Sequence, residues 1–375
     1  MATRMNQPGS KVSARWAQVV LLGVALAGSP GAAVAALTPD TDWLIFLSAA
    51  GMRTPSTVTS LLPDPHGEIA ADVLYTSNHG SVRFLFETEV SSDDTGIDRL
   101  QVGWEFAEDS YFWLGKFHQP ASAWNFGHDH GHYLQTAITV PVIERWEDQD
   151  GLPQDMLGAL VDLRRPIASD RSLAVSIGVG LVPNPHHESN ESEPYWEPFM
   201  RDPSTHLSSS ARVAYYPDAA GASNVGLVWA QNHLGLSGIE VPTLATFDSL
   251  RQTIVGAYVD WTHEPWRVLA AAYHLDLQFT GATDARHESF GAGYIQAEYQ
   301  FARQLTAFAR HDNSVDAADS RYFVAFGPSF PVRRNGAGVR WDVRRNVALT
   351  IEAARSAWID ISYSEFHLQL SAVVP

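Results

Sequence analysis

The stretch Trp266-Arg-Val-Leu-Ala-Ala-Ala-Tyr-His-Leu-Asp-Leu-Gln-Phe279 decides the fold class. Leu269, Ala271, Tyr273, Leu275, Leu277 and Phe279 share one face, and His274, Asp276 and Gln278 oppose them. A period of two belongs to an extended strand with different surroundings on its two sides. The preceding segment repeats it. Val255, Ala257, Val259 and Trp261 alternate with Gly256, Tyr258 and Asp260. So does Ile295-Gln-Ala-Glu-Tyr-Gln-Phe301, and so do Val347–Ala353 and Phe366–Ala372, the last opposed by His367, Gln369 and Ser371. This period of two repeats along most of the chain.

The segments run to about ten residues, the length of a membrane-crossing strand, where strands of soluble proteins average about five or six. A soluble sandwich also alternates, but it does not call for aromatic residues near strand ends. Trp104, Trp113, Trp229, Trp261, Trp266, Trp341 and Trp358 are placed to form interfacial girdles. Sixteen strands are expected, at 42–51, 68–77, 81–91, 97–107, 110–118, 156–164, 172–183, 207–216, 223–233, 252–262, 266–278, 290–301, 304–313, 336–343, 346–356 and 362–373. Short connections alternate with long ones, as in a barrel whose long loops share one end. The nearly all-apolar Asp42–Ser48 also reads as a short helix, and Arg321-Tyr-Phe-Val-Ala-Phe326 is assigned to a loop. The outward positions include Leu269, Leu275, Tyr299, Val347 and Leu368.

Residues 1–35 read as a cleaved signal peptide. Arg4, Lys11 and Arg15 precede an apolar core from Ala17 to Ala27, and Ala33-Val-Ala35 is a small-residue cleavage signal. Residues 36–375 form the expected outer-membrane β-barrel, a single domain. The formal net charge of the whole chain is −17, and three of its 25 basic residues lie in the leader. So acidic a chain has no electrostatic footprint for nucleic acid. With no cysteine, disulfides, thiolate metal sites, a cysteine nucleophile and covalently attached c-type haem are all excluded.

Leu114-Gly-Lys-Phe-His118, Trp124-Asn125, His128-Asp-His-Gly-His-Tyr-Leu-Gln-Thr136 and Gly151-Leu-Pro-Gln154 together resemble porin-like outer-membrane proteins of Gram-negative bacteria. The resemblance implies a transmembrane antiparallel up-and-down barrel, export through the periplasm and insertion by the barrel assembly machinery. It also implies that the long loop 119–155 folds into the pore. Such barrels often end on an aromatic residue; here the last aromatic is Phe366.

A loop in that position makes a constriction. The expected eyelet sets Asp129, Glu144, Arg145, Glu147 and Asp148 of the loop against Arg340, Asp342, Gln296, Glu298 and His367 of the wall. Acidic loop facing basic wall would give a transverse field that sorts solutes by charge. His128, His130 and His132 fall on one face of an extended segment, and imidazole with carboxylate suits a divalent metal ion. Loop packing is the plainer reading of those histidines. At ordinary histidine values they would gain charge as pH falls from about 8 to about 5 and weaken cation selectivity.

Enzymatic chemistry has one foothold. Ser77-Asn-His-Gly-Ser81 holds a serine and a histidine in proximity, though a tight turn explains it as well. The expected function is therefore a non-enzymatic passive channel for small hydrophilic solutes or ions, with an acidic, His-rich outer mouth, no resident cofactor other than an optional divalent metal, outer-membrane lipid around it, and a homotrimer left open. Two alternatives are a metal-binding or metal-uptake barrel, and a non-transport sheath or docking barrel for a partner protein.

Overall fold

The computed structural model describes residues 41–53, 67–92, 95–128, 131–144, 152–184, 204–218, 221–236, 243–326, 331–358 and 361–374. Sixteen strands close into one antiparallel barrel in which each strand pairs with its sequence neighbours and the first pairs with the last. They are β1 (Thr41–Arg53), β2 (Gly67–His79), β3 (Val82–Ser91), β4 (Thr95–Ala107), β5 (Ser110–His118), β6 (Asp155–Ala168), β7 (Arg171–Leu181) and β8 (Ser208–Tyr216). Around the second half run β9 (Asn224–Gly235), β10 (Ser249–His263), β11 (Trp266–Thr280), β12 (Ala285–Ala302), β13 (Leu305–Val315), β14 (Arg333–Arg344), β15 (Val347–Trp358) and β16 (Ile361–Val374). Among the described residues the short α-helices are α1 (Ala123–Gly127) and α2 (Arg321–Phe326). Among the described residues no helix is long and apolar enough to cross a membrane.

Closure satisfies every strand's backbone, the condition lipid imposes on strands. β1 seals the seam by pairing Ser48 with Ser371 on one side and with Ala70 on the other. The apolar run Asp42–Ser48 is thus strand and not helix, because both its edges are taken. Arg321–Phe326 lies outside the sheet as α2. Between β6 and β7 the strands extend into the expected 165–171 connection, and a register shift between Pro166 and Ala168 accommodates the proline's missing donor.

The outward face is apolar in the band next to the short turns. Val102, Leu114, Val255, Ile295, Ile351 and Leu368 are all exposed on it. Trp104, Trp261, Trp266, Tyr299 and Trp341 are also outward. Trp266 and Tyr299 are register partners with ring centroids 4.6 Å apart. Two members of the expected girdle do not belong to it. Trp113 is buried in the lumen, and Trp358 packs inward against the core.

The inward face corrects the expectation for β11. Leu269 and Leu275 point into the barrel and are 4% and 0% exposed, whereas Tyr299 and Leu368 point outward. Val347 is outward by register but buried beside its turn. The reason is that the lumen beside β9–β12 is filled with side chains and not with water. Trp124, Val142, Ile143, Leu244, Phe247 and Phe323 meet Leu250, Ile254, Leu275, Leu277, Phe279 and Phe290 there in one apolar cluster. Meanwhile β10, β11 and β12 run past the expected limits at their long-loop ends, where the outward face carries His274, Asp276 and Gln278. Close packing of the wall needs glycine at inward positions. A Cβ on Gly103 would lie 2.4 Å from the Trp113 ring, and one on Gly256 would lie 2.5 Å from the Tyr273 ring.

Candidate functional site: the lumen and its loop

The segment 119–144 leaves β5 and is bonded to the far wall of the barrel. Ser122 caps α1 by accepting from the Asn125 amide at 3.1 Å, and its hydroxyl donates to the Glu144 carboxylate. The Tyr273 hydroxyl donates to Glu144 at 2.7 Å and accepts from the Ala123 amide at 3.2 Å. Gln119 donates to Asn232 of β9 at 2.7 Å. His128 Nε2 lies 3.5 Å from Asp260 of β10. Gly131 has φ 84°, and a Cβ there would lie 2.3 Å from Phe46 of β1, so a residue with a side chain would push the loop off this wall.

Beyond Gly131 the loop meets a ladder of charged side chains. Arg340 donates to the Tyr133 carbonyl at 2.6 Å and to the Gln135 carbonyl, and its guanidinium lies 4.9 Å from the Tyr133 ring centroid. Thr136 donates to Glu298 at 2.8 Å, and Gln296 donates to the same carboxylate at 2.7 Å. Glu352 accepts from the Ile138 amide at 2.9 Å, the Thr139 amide at 3.1 Å and the Thr139 hydroxyl at 2.6 Å. Arg310 donates to the Thr139 carbonyl and hydroxyl and to the Val140 carbonyl, and pairs with Asp312 at 3.1 Å. Asp312 in turn accepts from the Val142 amide at 3.0 Å. Arg334 donates to Thr139 and bridges Glu352 at 3.2 Å and Glu365 at 3.3 Å.

The expected eyelet is thus brought together only in part. Arg340, Asp342, Gln296 and Glu298 line one wall region against residues 133–136, with Arg340 2.9 Å from Asp342. His367 stands further round the wall, 2.9 Å from Glu365. Glu144 is buried against Tyr273 and Ser122. The wall arginines are matched by wall carboxylates and loop carbonyls, because buried charge is stable only when paired. Asp129, His130, Arg145, Glu147 and Asp148 lie outside the described residues, as does the acidic stretch from Glu188 to Glu197.

Of the histidines, His132 has a buried Nδ1 without a hydrogen-bond partner. Among the described residues no three His, Asp or Glu side chains converge on a metal position. Burial lowers the His132 imidazole below the ordinary histidine value. Its charge therefore arrives at lower pH than an unperturbed ring would give. Because the folded value is lowered, this group favours the packed loop above about pH 6.5, and that contribution is lost as pH falls further. Amide protection in 131–136, taken relative to unstructured amides at the same pH, should fall between about pH 6.5 and 5, and His132→Gln should flatten that fall. Equal pH dependence in both proteins would refute the assignment.

What the loop leaves free is the opposite wall. A cavity of about 160 Å³ lies between α1 and β3–β6, lined by Leu85, Arg99, Gln101, Trp113, Phe117, His118, Asn125, Leu160 and Asp162. Glu87 pairs with Arg99 beside it, Lys116 reaches Asp155 at 2.7 Å, and His118 Nδ1 lies 3.0 Å from Asp155. The acids Glu87, Asp155 and Asp162 thus stand among Arg99, Lys116 and His118 on this wall. Towards the short-turn end, arginines stack on tyrosines instead. Arg83 lies 4.5 Å from the Tyr111 ring centroid, Arg164 4.5 Å from Tyr216 and Arg212 5.4 Å from Tyr258. Sequence reasoning missed Arg99, Gln101 and Asp162 and took His118 only as part of a motif. Strand parity places Gln101 and Asp162 inward, and nothing local shows that this wall stays uncovered.

The serine–histidine pair is a turn feature. Ser77 Oγ lies 2.9 Å from His79 Nε2, but Ser77 is 4% exposed. Among the described residues no carboxylate contacts His79.

No family model matches the chain, and no curated protein sequence matches it. Solved structures do. Salmonella typhi OmpF in complex with daunomycin is similar at a TM-score of 0.56 and 11% identity, covering 89% of this chain and 97% of that one. The outer membrane channel DcaP of Acinetobacter baumannii is similar at 0.55 and 10% identity, with 89% and 97% covered. Pseudomonas putida OprB is similar at 0.54 and 8% identity, with 89% and 94% covered. This chain has the fold of a porin-like outer-membrane barrel, the architecture its sequence resembles.

Proposed function

We propose that the protein is a passive channel for small hydrophilic solutes or ions in an outer membrane, and not an enzyme. Its path runs between the loop 119–144 and the β3–β6 wall. The cavity beside Arg99, Gln101, His118 and Asp162 carries this reading, because charged and polar side chains of the wall meet open space there. Asp162, which lines the cavity without an ion pair among the described residues, favours cations there, an effect screened at high salt.

Planar-bilayer recording is the test. Small discrete conductance steps are expected, with cation preference at low salt. Asp162→Asn should reduce that preference without abolishing the steps. A non-transport sheath or docking barrel is the rival, favoured by the apolar filling beside β9–β12. Folded protein that inserts but never conducts would decide for the rival.

A further inference from the structure

We propose that the cavity between α1 and the β3–β6 wall is a binding site for one neutral sugar ring. This site rests on the channel reading for the sugar's route of entry, and on its own side chains for the binding. Two buried polar atoms point to a ligand there. Asn125 is 2% exposed and lines the cavity, and its Nδ2 has no hydrogen-bond partner among the described residues. Asp162 lines the same cavity. Ser176 and Trp113 interact with its carboxylate, yet its Oδ1 is buried without a hydrogen-bond partner among the described residues. Unpaired buried polar atoms are costly, so a solute that pairs with both gains from each.

The two atoms ask for opposite things. Asn125 Nδ2 needs an acceptor, and Asp162 Oδ1 needs a donor. Gln101, buried on the same wall, adds an amide with one group of each kind. A hydroxyl both donates and accepts, so a solute carrying several hydroxyls matches all three side chains. A simple organic cation matches Asp162 alone and leaves Asn125 unpaired. An anion meets the Asp162 carboxylate. The other charges beside the cavity are already matched, Arg99 with Glu87 and Lys116 with Asp155 at 2.7 Å, so the ligand need bring no charge of its own.

The apolar side of the cavity narrows the polyol to a ring. Trp113 lines it together with Leu85, Phe117 and Leu160. A Cβ on Gly103 would lie 2.4 Å from the Trp113 ring, so the glycine is what lets the indole lie against the wall. The negative face of an indole attracts the weakly positive C–H groups of a pyranose, and the hydroxyls around the ring's edge are then left for the polar side chains. Apolar walls with a few placed polar groups are the usual make-up of a small-molecule site. The cavity holds about 160 Å³, the volume of roughly five waters, which suits one sugar ring and not two.

The test is calorimetric titration of the full chain, folded in neutral detergent, with D-glucose, D-galactose, sorbitol and tetramethylammonium chloride. At least one hexose should bind saturably, about tenfold or more tighter than sorbitol, which has the hydroxyls without the rigid C–H face. It should also bind tighter than tetramethylammonium, and raised salt should leave its affinity unchanged because the ligand is neutral. Asn125→Ala and Asp162→Ala should each weaken binding about fivefold, the effect of one hydrogen bond between partners of this kind. Trp113→Leu should weaken it about tenfold. Gln278→Ala, on the outward face of β11, should leave it unchanged. Heat-modifiable migration checks the fold of each variant, and Asn125→Asp, which keeps the shape and removes the donor, replaces Asn125→Ala if that variant does not fold. Hexose binding no tighter than that of sorbitol or tetramethylammonium, parent-like binding by the cavity variants, or an equal loss in Gln278→Ala would each overturn the sugar site. Conductance separates the two readings: open steps without hexose binding would remove the site and leave the channel, whereas hexose binding without open steps would support the site and remove the channel.

Discussion

Glu352→Ala should free the inserted loop while leaving the barrel closed. The carboxylate is 1% exposed at its side chain and holds the Ile138 and Thr139 amides, the Thr139 hydroxyl and Arg334 at 3.2 Å. Removing it leaves two buried amides without acceptors and takes one counter-charge from Arg334, which keeps Glu365 at 3.3 Å. Breaking a buried pair from one side costs about 3–5 kcal/mol. The barrel itself rests on backbone ladders that do not involve this side chain. Heat-modifiable migration should therefore persist. Exchange at the Ile138 and Thr139 amides should accelerate by roughly a hundredfold or more. Single-channel conductance should rise as the loop leaves the wall. Glu352→Gln keeps the shape and one acceptor and should show a smaller rise. Unchanged exchange and unchanged conductance in the alanine variant would show that the loop is held elsewhere.

The sheet was legible because lipid and strand geometry both act locally. Alternation in Val255–Trp261 and Ile295–Phe301 depends on each residue's own face, so reading neighbours two apart suffices. That logic misjudged Leu269 and Leu275 because it assumed a wet lumen. An apolar inward face becomes favourable when Trp124, Val142 and Phe247, distant in sequence, occupy the space in front of it. The eyelet was less legible for the same reason. Arg340 and Asp342 share a strand face and could be paired from parity alone. The partnership of Thr139 with Glu352 spans 213 residues and leaves no trace in either segment. Glu144 reads as a pore acid beside its acidic neighbours, yet the hydroxyls of Ser122 and Tyr273 hold it in place. The cavity between α1 and β3–β6 is defined by where the loop does not lie, which no short stretch of sequence records.

Trp124→Ala should be the most disruptive single change within the loop. Trp124 is 1% exposed, its ring edge-on to Tyr294 at 6.2 Å and 5.0 Å from the His128 ring. It anchors α1 to the apolar cluster on β9–β12, and the next residue, Asn125, faces the cavity on the other side. Truncating a buried tryptophan costs about 3–5 kcal/mol through lost contacts and the void left behind. The void adjoins the cavity, so α1 loses the packing that fixes one side of the path. Conductance should rise and become noisier as α1 samples more than one position. The temperature at which the compact species unfolds should fall. Trp124→Phe keeps much of the contact and should recover most of both losses. Leu134→Ala is the matched control, since Leu134 is exposed on the same loop at 47%, and it should change neither quantity. If Trp124→Ala conducts as the parent does, the path does not run beside α1, and the channel reading of that cavity fails with it.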